Sequence, residues 1–398
     1  MRILSISHSV PVPPSDGGKI VVLNTARALA GLGHDLGLAA ISVPGQDIPK
    51  TIGEGMPIWA FPARTAITVG GMVRTLLARK PYVLSKYQVL GFSGFLRRVA
   101  HDFRPDIIHV EFLAMAEFGC TLGREFGLPV VLRSHNVDSV LMARFRDAQR
   151  NLAARWFAGH EFRRLIRYER LTLPQCTSRV AITQSDARAL EEIAGVRVSA
   201  IPSGIDVPEY QPMAVPVVPG SVAYVASLDW MPNVDSATWF IAEVLPRIRA
   251  VVPNMVFHLV GRNPPQTLLQ HDGRDSIVVT GAVDDVRPWI ARTEVLVVPT
   301  RIGSGMRIKI LEAMAMGKPV VTTRVGCEGI EGLVDGENVL IADTAGEFAA
   351  AASRLLGDRE MRHRIGAAGR ELVVARYQWQ DVARQFEEVY RDALATRS

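Results

Sequence analysis

The chain has 398 residues, with 45 lysines and arginines against 40 aspartates and glutamates, and it is 48% hydrophobic and 21% charged. This length exceeds one ordinary core and predicts two domains, while the composition excludes a disordered or fibrous protein. The net charge of +5 is small for the length, and no recognised nucleic-acid-binding motif accompanies it, so we expect no nucleic-acid partner.

In the first half, short β-branched runs alternate with helical patterns. A Pro/Gly loop at 11–18 leads from the first strand into a helix that runs to about Leu32, and Arg144–Leu171 predicts one or two long helices. Short strands separated by helices indicate a parallel sheet covered on both faces. The predicted strands are Arg2–Ser7, Leu36–Ser42, Ile107–Val110, Val130–Leu132, Arg179–Ile182 and Val198–Ile201.

A second alternating series begins after a proline-rich stretch. Helices are predicted at Val234–Ala250 and Ala345–Leu356, and a final helix follows Trp379. The predicted strands are Val222–Val225, Met255–Val260, Ile277–Thr280, Val295–Val298, Val320–Thr322 and Val339–Ile341. We therefore predict two doubly wound, Rossmann-like α/β domains that face a ligand cleft. The expected boundaries are 1–206 for the first domain, 207–220 for a linker, 221–378 for the second domain, and 379–398 for a helix that returns to the first.

The remaining global features concern the compartment. The three cysteines lie far apart and form no CxxC pair, which argues against a disulfide framework and a zinc site and favours a reducing compartment. Residues 1–8 are typical of a short strand rather than a signal peptide. No apolar run approaches the roughly 20 residues that span a bilayer. We expect a cytoplasmic protein, soluble or in peripheral contact with the inner face of the membrane.

The most informative motif is the glycine-rich segment from Gly303 to Val321. We expect it to open into a helix on which Lys309 and Glu312, three residues apart, share a face. Backbone amides, a cation and an acid would then meet one ligand, and a carboxylate among small apolar residues is seldom buried without a partner. A nucleotide sugar fits this grouping, since the cations suit the diphosphate and the acid suits ribose hydroxyls. The donor-binding candidates here are Ser304, Gly305, Met306 and Arg307.

Further candidates follow other predicted strands. Gly17 and Gly18 follow the first strand and would let backbone amides approach a phosphate. His135 follows the strand at Val130–Leu132 and suits a contact with a substrate hydroxyl or a departing phosphate, or else is satisfied by backbone. Arg262 follows the strand at Met255–Val260 and is a phosphate contact or a solvated side chain. Asn233 and Asp235 are interpreted as helix caps.

The region from Arg144 to Tyr168 is rich in arginine and aromatic residues. A basic and aromatic helix is typical of contact with an anionic membrane surface. The alternative is an amphipathic helix whose aromatic side chains pack on the domain core.

These residues together resemble the retaining, two-domain GT-B glycosyltransferases of family 4 (group 1). The resemblance covers nearly the whole chain, and its most specific part is Leu311–Val321, supported by the Ile-Pro-x-Gly-Ile-Asp string that ends at Asp206. It implies transfer of a sugar from a nucleotide-sugar donor to a glycan or lipid-linked acceptor, with retention and without a metal or other cofactor. It also implies that Glu312 holds the donor ribose and that His135 contacts the transferred sugar.

Two positions depart from the family's pattern. The family often has a glutamate eight residues before Glu312, where this chain has Ser304. Its Gly-Arg…Lys phosphate clamp is also absent, with Ala226-Ser227-Leu228 in its place and only Asn233 near the position of the lysine. We hypothesise that Arg307 and Lys309 supply the missing charge.

Two other functions share the predicted architecture. A nucleotide-sugar 2-epimerase would need an acid–base pair, for which Glu111 and His135 are the candidates. A non-catalytic nucleotide-sugar-binding scaffold is favoured by the two departures, and the presence of Glu312 and Lys309 argues against it.

Overall fold

The computed structural model describes residues 1–14, 16–53, 55–65, 80–149, 151–303 and 305–396. The chain divides into two compact units, one formed by Met1–Gly204 with Trp379–Ser398 and the other by Ile205–Gln378. Each unit contains a largely parallel sheet with helices between successive strands, which confirms the predicted α/β class.

The described residues of the first unit form an eight-stranded sheet of order β3-β4-β2-β1-β5-β6-β7-β8, parallel except for the β3–β4 pair. Its strands are β1 Arg2–Ser7, β2 Asp35–Ser42, β3 Thr51–Ile52, β4 Met56–Pro62, β5 Ile107–Glu111, β6 Val130–Ser134, β7 Ser178–Ala181 and β8 Ser199–Ala200. The sequence analysis missed β3 and β4, because β3 is only two residues long and β4 contains two prolines, which are rare in central strands. The strand order reverses between β1 and β5, so side chains at their carboxyl ends lie at a ligand-binding position of this fold.

The helices of the first unit cover both faces of its sheet. They are α1 Gly17–Gly31, α2 Tyr82–Ser85, α3 Phe92–Phe103, α4 Ala116–Phe126, α5 Asp138–Ala148, α6 Leu152–Thr172, α7 Gln184–Ala194 and a C-terminal helix at Trp379–Ala395. The basic stretch at 144–171 is thus divided between two helices, and the Asn151 side chain caps the second by accepting from the amides of Ala153 and Ala154.

The C-terminal helix belongs to the first unit and packs against α1. Its Phe386 and Tyr390 side chains are fully buried, and the guanidinium of the buried Arg133 lies 4.9 Å from the centroid of the Phe386 ring. Arg133 also donates a 2.7 Å hydrogen bond to the hydroxyl of Thr25 on α1. A strand, α1 and the last helix of the chain are therefore joined through one buried cation.

The second unit contains a parallel sheet of order β11-β10-β9-β12-β13-β14. Its strands are β9 Ser221–Val225, β10 Val256–Val260, β11 Ile277–Gly281, β12 Val295–Val298, β13 Val320–Thr322 and β14 Leu340–Ile341. Its helices are α8 Met231–Trp239, α9 Leu245–Val251, α10 Gln266–Leu269, α11 Arg287–Ala291, α12 Ile308–Ala315, α13 Arg324–Cys327, α14 Ala345–Gly357 and α15 Arg359–Arg376. The helix predicted at Val234–Ala250 is divided by a π-helical turn at Phe240–Val244, just before Pro246, whose missing N–H disfavours a continuous helix.

Apolar clusters cover both faces of this second sheet. The segment 207–220, predicted as a linker, is part of the second unit, because Val207, Tyr210 and Val215 pack against the cluster on one face. At the carboxyl end of β10, a side chain on Gly261 would collide with the carbonyl oxygen of Ala226. Glycine therefore lets the chains leaving β9 and β10 lie against each other at the sheet's functional edge.

Candidate active site

The strand order of the second unit reverses between β9 and β12. The chain that leaves β9 continues into α8, and the chain that leaves β12 continues into α12. The two segments therefore begin beside each other at the carboxyl edge of the sheet, where doubly wound folds bind their ligands. Most of the candidate residues of the second unit lie on these two segments or on the turn after β10.

Lys309 extends from the first turn of α12 toward α8. Its Nζ atom lies 3.2 Å from Oδ1 of Asn233, 3.5 Å from the hydroxyl oxygen of Tyr224 and 4.7 Å from the centroid of the Tyr224 ring. The Tyr224 hydroxyl itself donates to Asn233 Oδ1 at 3.1 Å. Burial, and then repulsion from Arg307, lower the pKa of Lys309 to about 7. The ammonium is therefore held by neutral partners, and no carboxylate among the described residues forms an ion pair with it.

Asn233 connects this lysine to a second cation. Its amide nitrogen donates to the carbonyl oxygen of Ser227 at 2.8 Å, and the Ser227 hydroxyl accepts from Nε of Arg262 at 2.8 Å. The same hydroxyl donates to Asp229 at 2.7 Å, and Asn263 donates to the other oxygen of Asp229 at 3.0 Å. Lys309 and Arg262, both predicted as site residues, thus belong to one hydrogen-bonded network.

Glu312 lies one turn further along α12, and only 9% of its surface is exposed. Burial raises the pKa of its carboxyl group, while the neighbouring hydroxyl of Tyr210 and the charge of Lys309 offset part of this effect. A buried acid with this partner can accept further hydrogen bonds, so it remains a candidate for binding hydroxyl groups.

The loop before α12 differs from the expectation that glycine amides lead directly into the helix. The helix begins at Ile308, with Arg307 as its cap residue. The Arg307 guanidinium donates back to the carbonyl of Gly305, which has a φ of +77°, and a side chain on Gly303 would collide with that guanidinium. Arg307 therefore holds the loop in its path. Met306 packs partly buried against the apolar cluster, and Ser304 lies outside the described residues.

In the first unit, Gly17 and Gly18 begin α1 directly after the loop that follows β1. The Asp16 carboxylate caps this helix by accepting from the amide of Lys19 at 3.0 Å, so that amide is already satisfied. A side chain on Gly17 would meet nothing within 4 Å, whereas one on Gly18 would lie 3.2 Å from the ring of Phe112. Gly17 thus leaves room for a ligand at the helix N-terminus, and Gly18 makes room for an aromatic ring.

His135 follows β6 and is buried. Its Nε2 atom lies 2.6 Å from the Glu111 carboxylate at the end of β5, and its ring stacks on that of Phe112 with 3.8 Å between centroids. Burial lowers the pKa of His135, against the opposing effect of Glu111. A neutral, carboxylate-bound imidazole suits contact with hydroxyl groups and differs from the backbone-satisfied histidine considered above.

Sequence reasoning missed the partners that hold Lys309 and Glu312, whereas Glu111, which contacts His135, was already named with it as a candidate acid–base pair. Asn233 was interpreted as a helix cap, but α8 begins at Met231 and the Asn233 side chain contacts Lys309. Tyr210 and Tyr224 were not predicted, because each is about 85 to 100 residues from its partner on α12 and no local pattern signals the contact. The one signal in the sequence for these contacts was Asn233, a polar residue in the segment after β9.

Within the parts of the chain that the structure describes, no group of three or more His, Cys, Asp or Glu side chains is arranged to hold a metal ion. Across the same ranges, no helix is both long and apolar enough to span a membrane.

Comparison with known proteins identifies the family. The model for glycosyl transferases group 1 matches residues 219–358, and the model for Glycosyltransferase Family 4 matches residues 15–209. A glycogen synthase of Mycobacterium tuberculosis is 24% identical over 98% of this chain and 94% of its own. The MMP alpha-(1->4)-mannosyltransferase of Mycolicibacterium hassiacum is also 24% identical, and 99% of each chain is covered.

Solved structures show the same fold. Sucrose-phosphate synthase from Thermosynechococcus elongatus has a TM-score of 0.76 at 20% identity, with 100% of both chains covered. The Anabaena protein HepE in complex with UDP-glucose has a TM-score of 0.68 at 14% identity, with 98% of this chain and 99% of that chain covered. With both units matched by its family models, the chain belongs to the group 1 glycosyltransferases of GT-B fold, and it is a glycosyltransferase.

Proposed function

We propose that the protein transfers a sugar from a nucleotide-sugar donor to a glycan or lipid-linked acceptor with retention of the anomeric configuration. In this proposal the network around Lys309 binds the donor diphosphate. The observation that carries it is the contact of 3.2 Å between Nζ of Lys309 and Oδ1 of Asn233, which holds a cation at the carboxyl edge of β9 and β12.

The position of this cation compensates for a departure in sequence. The family's phosphate clamp has a lysine near the position of Asn233, and this chain has none there. Lys309 reaches the Asn233 side chain from α12, and Arg262 is connected to Asn233 through Ser227. A departing nucleoside diphosphate gains negative charge in the transition state, so cations fixed beforehand lower the barrier.

Glu312 is the proposed ribose-binding residue. Its carboxylate is buried beside Tyr210 and can accept hydrogen bonds from two vicinal hydroxyl groups. Hydrogen bonds from the ribose hydroxyl groups favour the ionised form of the Glu312 carboxyl group, whereas burial favours its neutral form. Donor binding would therefore lower the pKa of Glu312.

The family resemblance assigns roles to three further residues. The Gly17 and Gly18 amides are offered to the diphosphate and His135 to the transferred sugar, as the family resemblance implies. We assign no protein nucleophile: the donor phosphate accepts the proton of the acceptor hydroxyl while the glycosidic bond forms on the face that the diphosphate leaves. Catalysis is then positioning and electrostatic stabilisation, with no metal or other cofactor.

The names of two matched proteins support a proposed substrate class. HepE binds UDP-glucose, and the Mycolicibacterium relative is a mannosyltransferase. We infer a nucleotide-activated hexose as donor and a role in polysaccharide or cell-envelope glycan synthesis.

A basic stripe on α6 supports contact with an anionic membrane surface. We define this stripe by Leu152, Arg155, Trp156, Arg163, Arg167 and Arg170, all exposed in the structure. Trp156 is 63% and Leu152 79% exposed, although both are large apolar residues. The two acids on the described part of α6, Glu161 and Glu169, are buried, so the exposed stripe is cationic and partly apolar.

The experiment that tests the proposal is a thermal-shift screen against nucleotide sugars with different bases and hexoses. The wild type is compared with Lys309→Met and with Arg274→Met, which removes a cation at the opposite, amino-terminal edge of β11. One donor series should stabilise the wild type and the control but not Lys309→Met. Equal stabilisation of all three proteins would contradict the diphosphate assignment, and an inverted product anomer in NMR spectra would contradict retention.

A further inference from the structure

A chain of four buried polar side chains ends at His135. The hydroxyl of Tyr390, on the C-terminal helix, lies 2.6 Å from Nδ1 of His109, and Nε2 of His109 lies 3.1 Å from one oxygen of Glu111. The other oxygen of Glu111 lies 2.6 Å from Nε2 of His135. All four side chains are less than one-tenth exposed. They connect the last helix, β5 and the loop after β6 within the first unit.

The protonation pattern of this chain follows from its chemistry. Burial alone would raise the pKa of Glu111, but the neighbouring His109 and His135 hold that pKa well below its usual range. An ionised carboxylate only accepts, so His135, hydrogen-bonded to Glu111 at 2.6 Å, must carry a proton on Nε2. Burial raises the pKa of Tyr390, which keeps its hydroxyl a donor to His109 Nδ1. His135, whose pKa burial lowers, is then neutral and keeps a lone pair on Nδ1.

The ring of His135 is also fixed in orientation. Its face stacks on Phe112, and its edge is bonded to Glu111. Phe112 has a φ of +73°, which is unusual for a residue other than glycine, and its amide donates to the carbonyl of Arg133 at 3.0 Å. Such backbone strain persists where the surroundings impose it, and it is common at functional sites.

We propose that Glu111 is a positioning residue for glycosyl transfer. It holds His135 as the Nε2–H tautomer, so that Nδ1 presents a hydrogen-bond acceptor to a hydroxyl group of the substrate sugar. This inference rests on the proposed function, which gives His135 contact with that sugar. The arrangement is the carboxylate–histidine pair by which many active sites fix an imidazole tautomer. At the other end of this series of four side chains, the Tyr390 hydroxyl donates to Nδ1 of His109 and connects the C-terminal helix to the series.

The first test reads the tautomer without any substrate. Long-range 1H–15N spectra of protein labelled at histidine, with His135 assigned from a His135→Asn variant, should show Nε2 protonated and Nδ1 unprotonated near neutral pH. In Glu111→Gln the amide can accept from one histidine only and must donate to the other, so His135 should change to a mixture or to the Nδ1–H form. A wild-type His135 protonated on Nδ1 would overturn the inference by itself.

The second test reads the consequence for transfer. Glu111→Gln should lower kcat by tenfold or more while the donor Kd changes by less than about threefold, because Glu111 is not among the residues proposed to contact the diphosphate or the ribose. The matched control is Glu161→Gln, which removes a buried, hydrogen-bonded carboxylate on α6 and should leave kcat and the His135 tautomer unchanged. An unchanged kcat in a folded Glu111→Gln with an altered tautomer would overturn the positioning role. Absence of donor binding and turnover in the wild type would instead refute the proposed function, and the tautomer would still be measurable.

Discussion

The pKa of Lys309 predicts how donor affinity depends on pH. A pKa of about 7 means that roughly nine-tenths of this side chain is charged at pH 6 and roughly one-tenth at pH 8. The diphosphate of a nucleotide sugar is esterified at both ends and keeps its charge over this range. If the diphosphate binds only the protonated lysine, the apparent Kd rises about tenfold between pH 6 and pH 8.

The assay is isothermal titration calorimetry with one nucleotide sugar at pH 6, 7 and 8. The charges of Arg307 and Glu312 also affect the pKa of Lys309, so substitutions are needed to assign the pH dependence of the donor Kd to Lys309. Lys309→Arg carries a permanent charge and should bind with nearly constant affinity, and Lys309→Met should bind weakly at every pH. The Arg274→Met control should keep the slope of the wild type. A wild-type affinity that is constant with pH, or an equal slope in Lys309→Arg, would refute the reasoning.

Three further predictions concern stability, the ribose contact and the membrane. Lys309→Met should raise the Tm of the unliganded protein more at pH 6 than at pH 9, because the cost of burying the charged amine is full below pH 7 and falls as pH rises toward the unfolded-state pKa; an equal change at both pH values would contradict this. Glu312→Gln should weaken donor binding by about tenfold without lowering Tm. Calorimetry measures the affinity and a thermal melt measures Tm, and an affinity equal to that of the wild type would contradict the ribose contact. Vesicles with anionic lipid should co-sediment the wild type in low salt but not an Arg163→Glu/Arg167→Glu variant, and equal binding to neutral vesicles would exclude the electrostatic contact.

The sequence predicted most of the fold because its strands are short, apolar and separated by clear helical patterns. The predicted strand Arg2–Ser7 matches β1, and Val295–Val298 matches β12. The errors have local physical causes. A π-helical turn before Pro246 divides one predicted helix, and the prolines of 207–220 indicated a linker although apolar side chains of that segment pack on the second unit.

The site was predictable only in part. Lys309 and Glu312 were selected as candidates from the glycine-rich motif that opens into a helix, and His135 was selected from its position after a strand. The long-range contacts around them were not predictable, because Asn233 reaches Lys309 across 76 residues and Tyr390 reaches His109 across 281. Sequence spacing reports contacts along one element, whereas these contacts depend on which strands are neighbours at a switch point.

The central claim is that Lys309, held at Asn233, binds the diphosphate of the donor. A crystal structure of the protein with the nucleotide sugar that stabilises it most tests this claim directly. The account predicts a diphosphate oxygen at about 3 Å from Nζ of Lys309, with the ribose hydroxyls on Glu312. A diphosphate bound elsewhere, with Lys309 still in contact only with Asn233 and Tyr224, would contradict it.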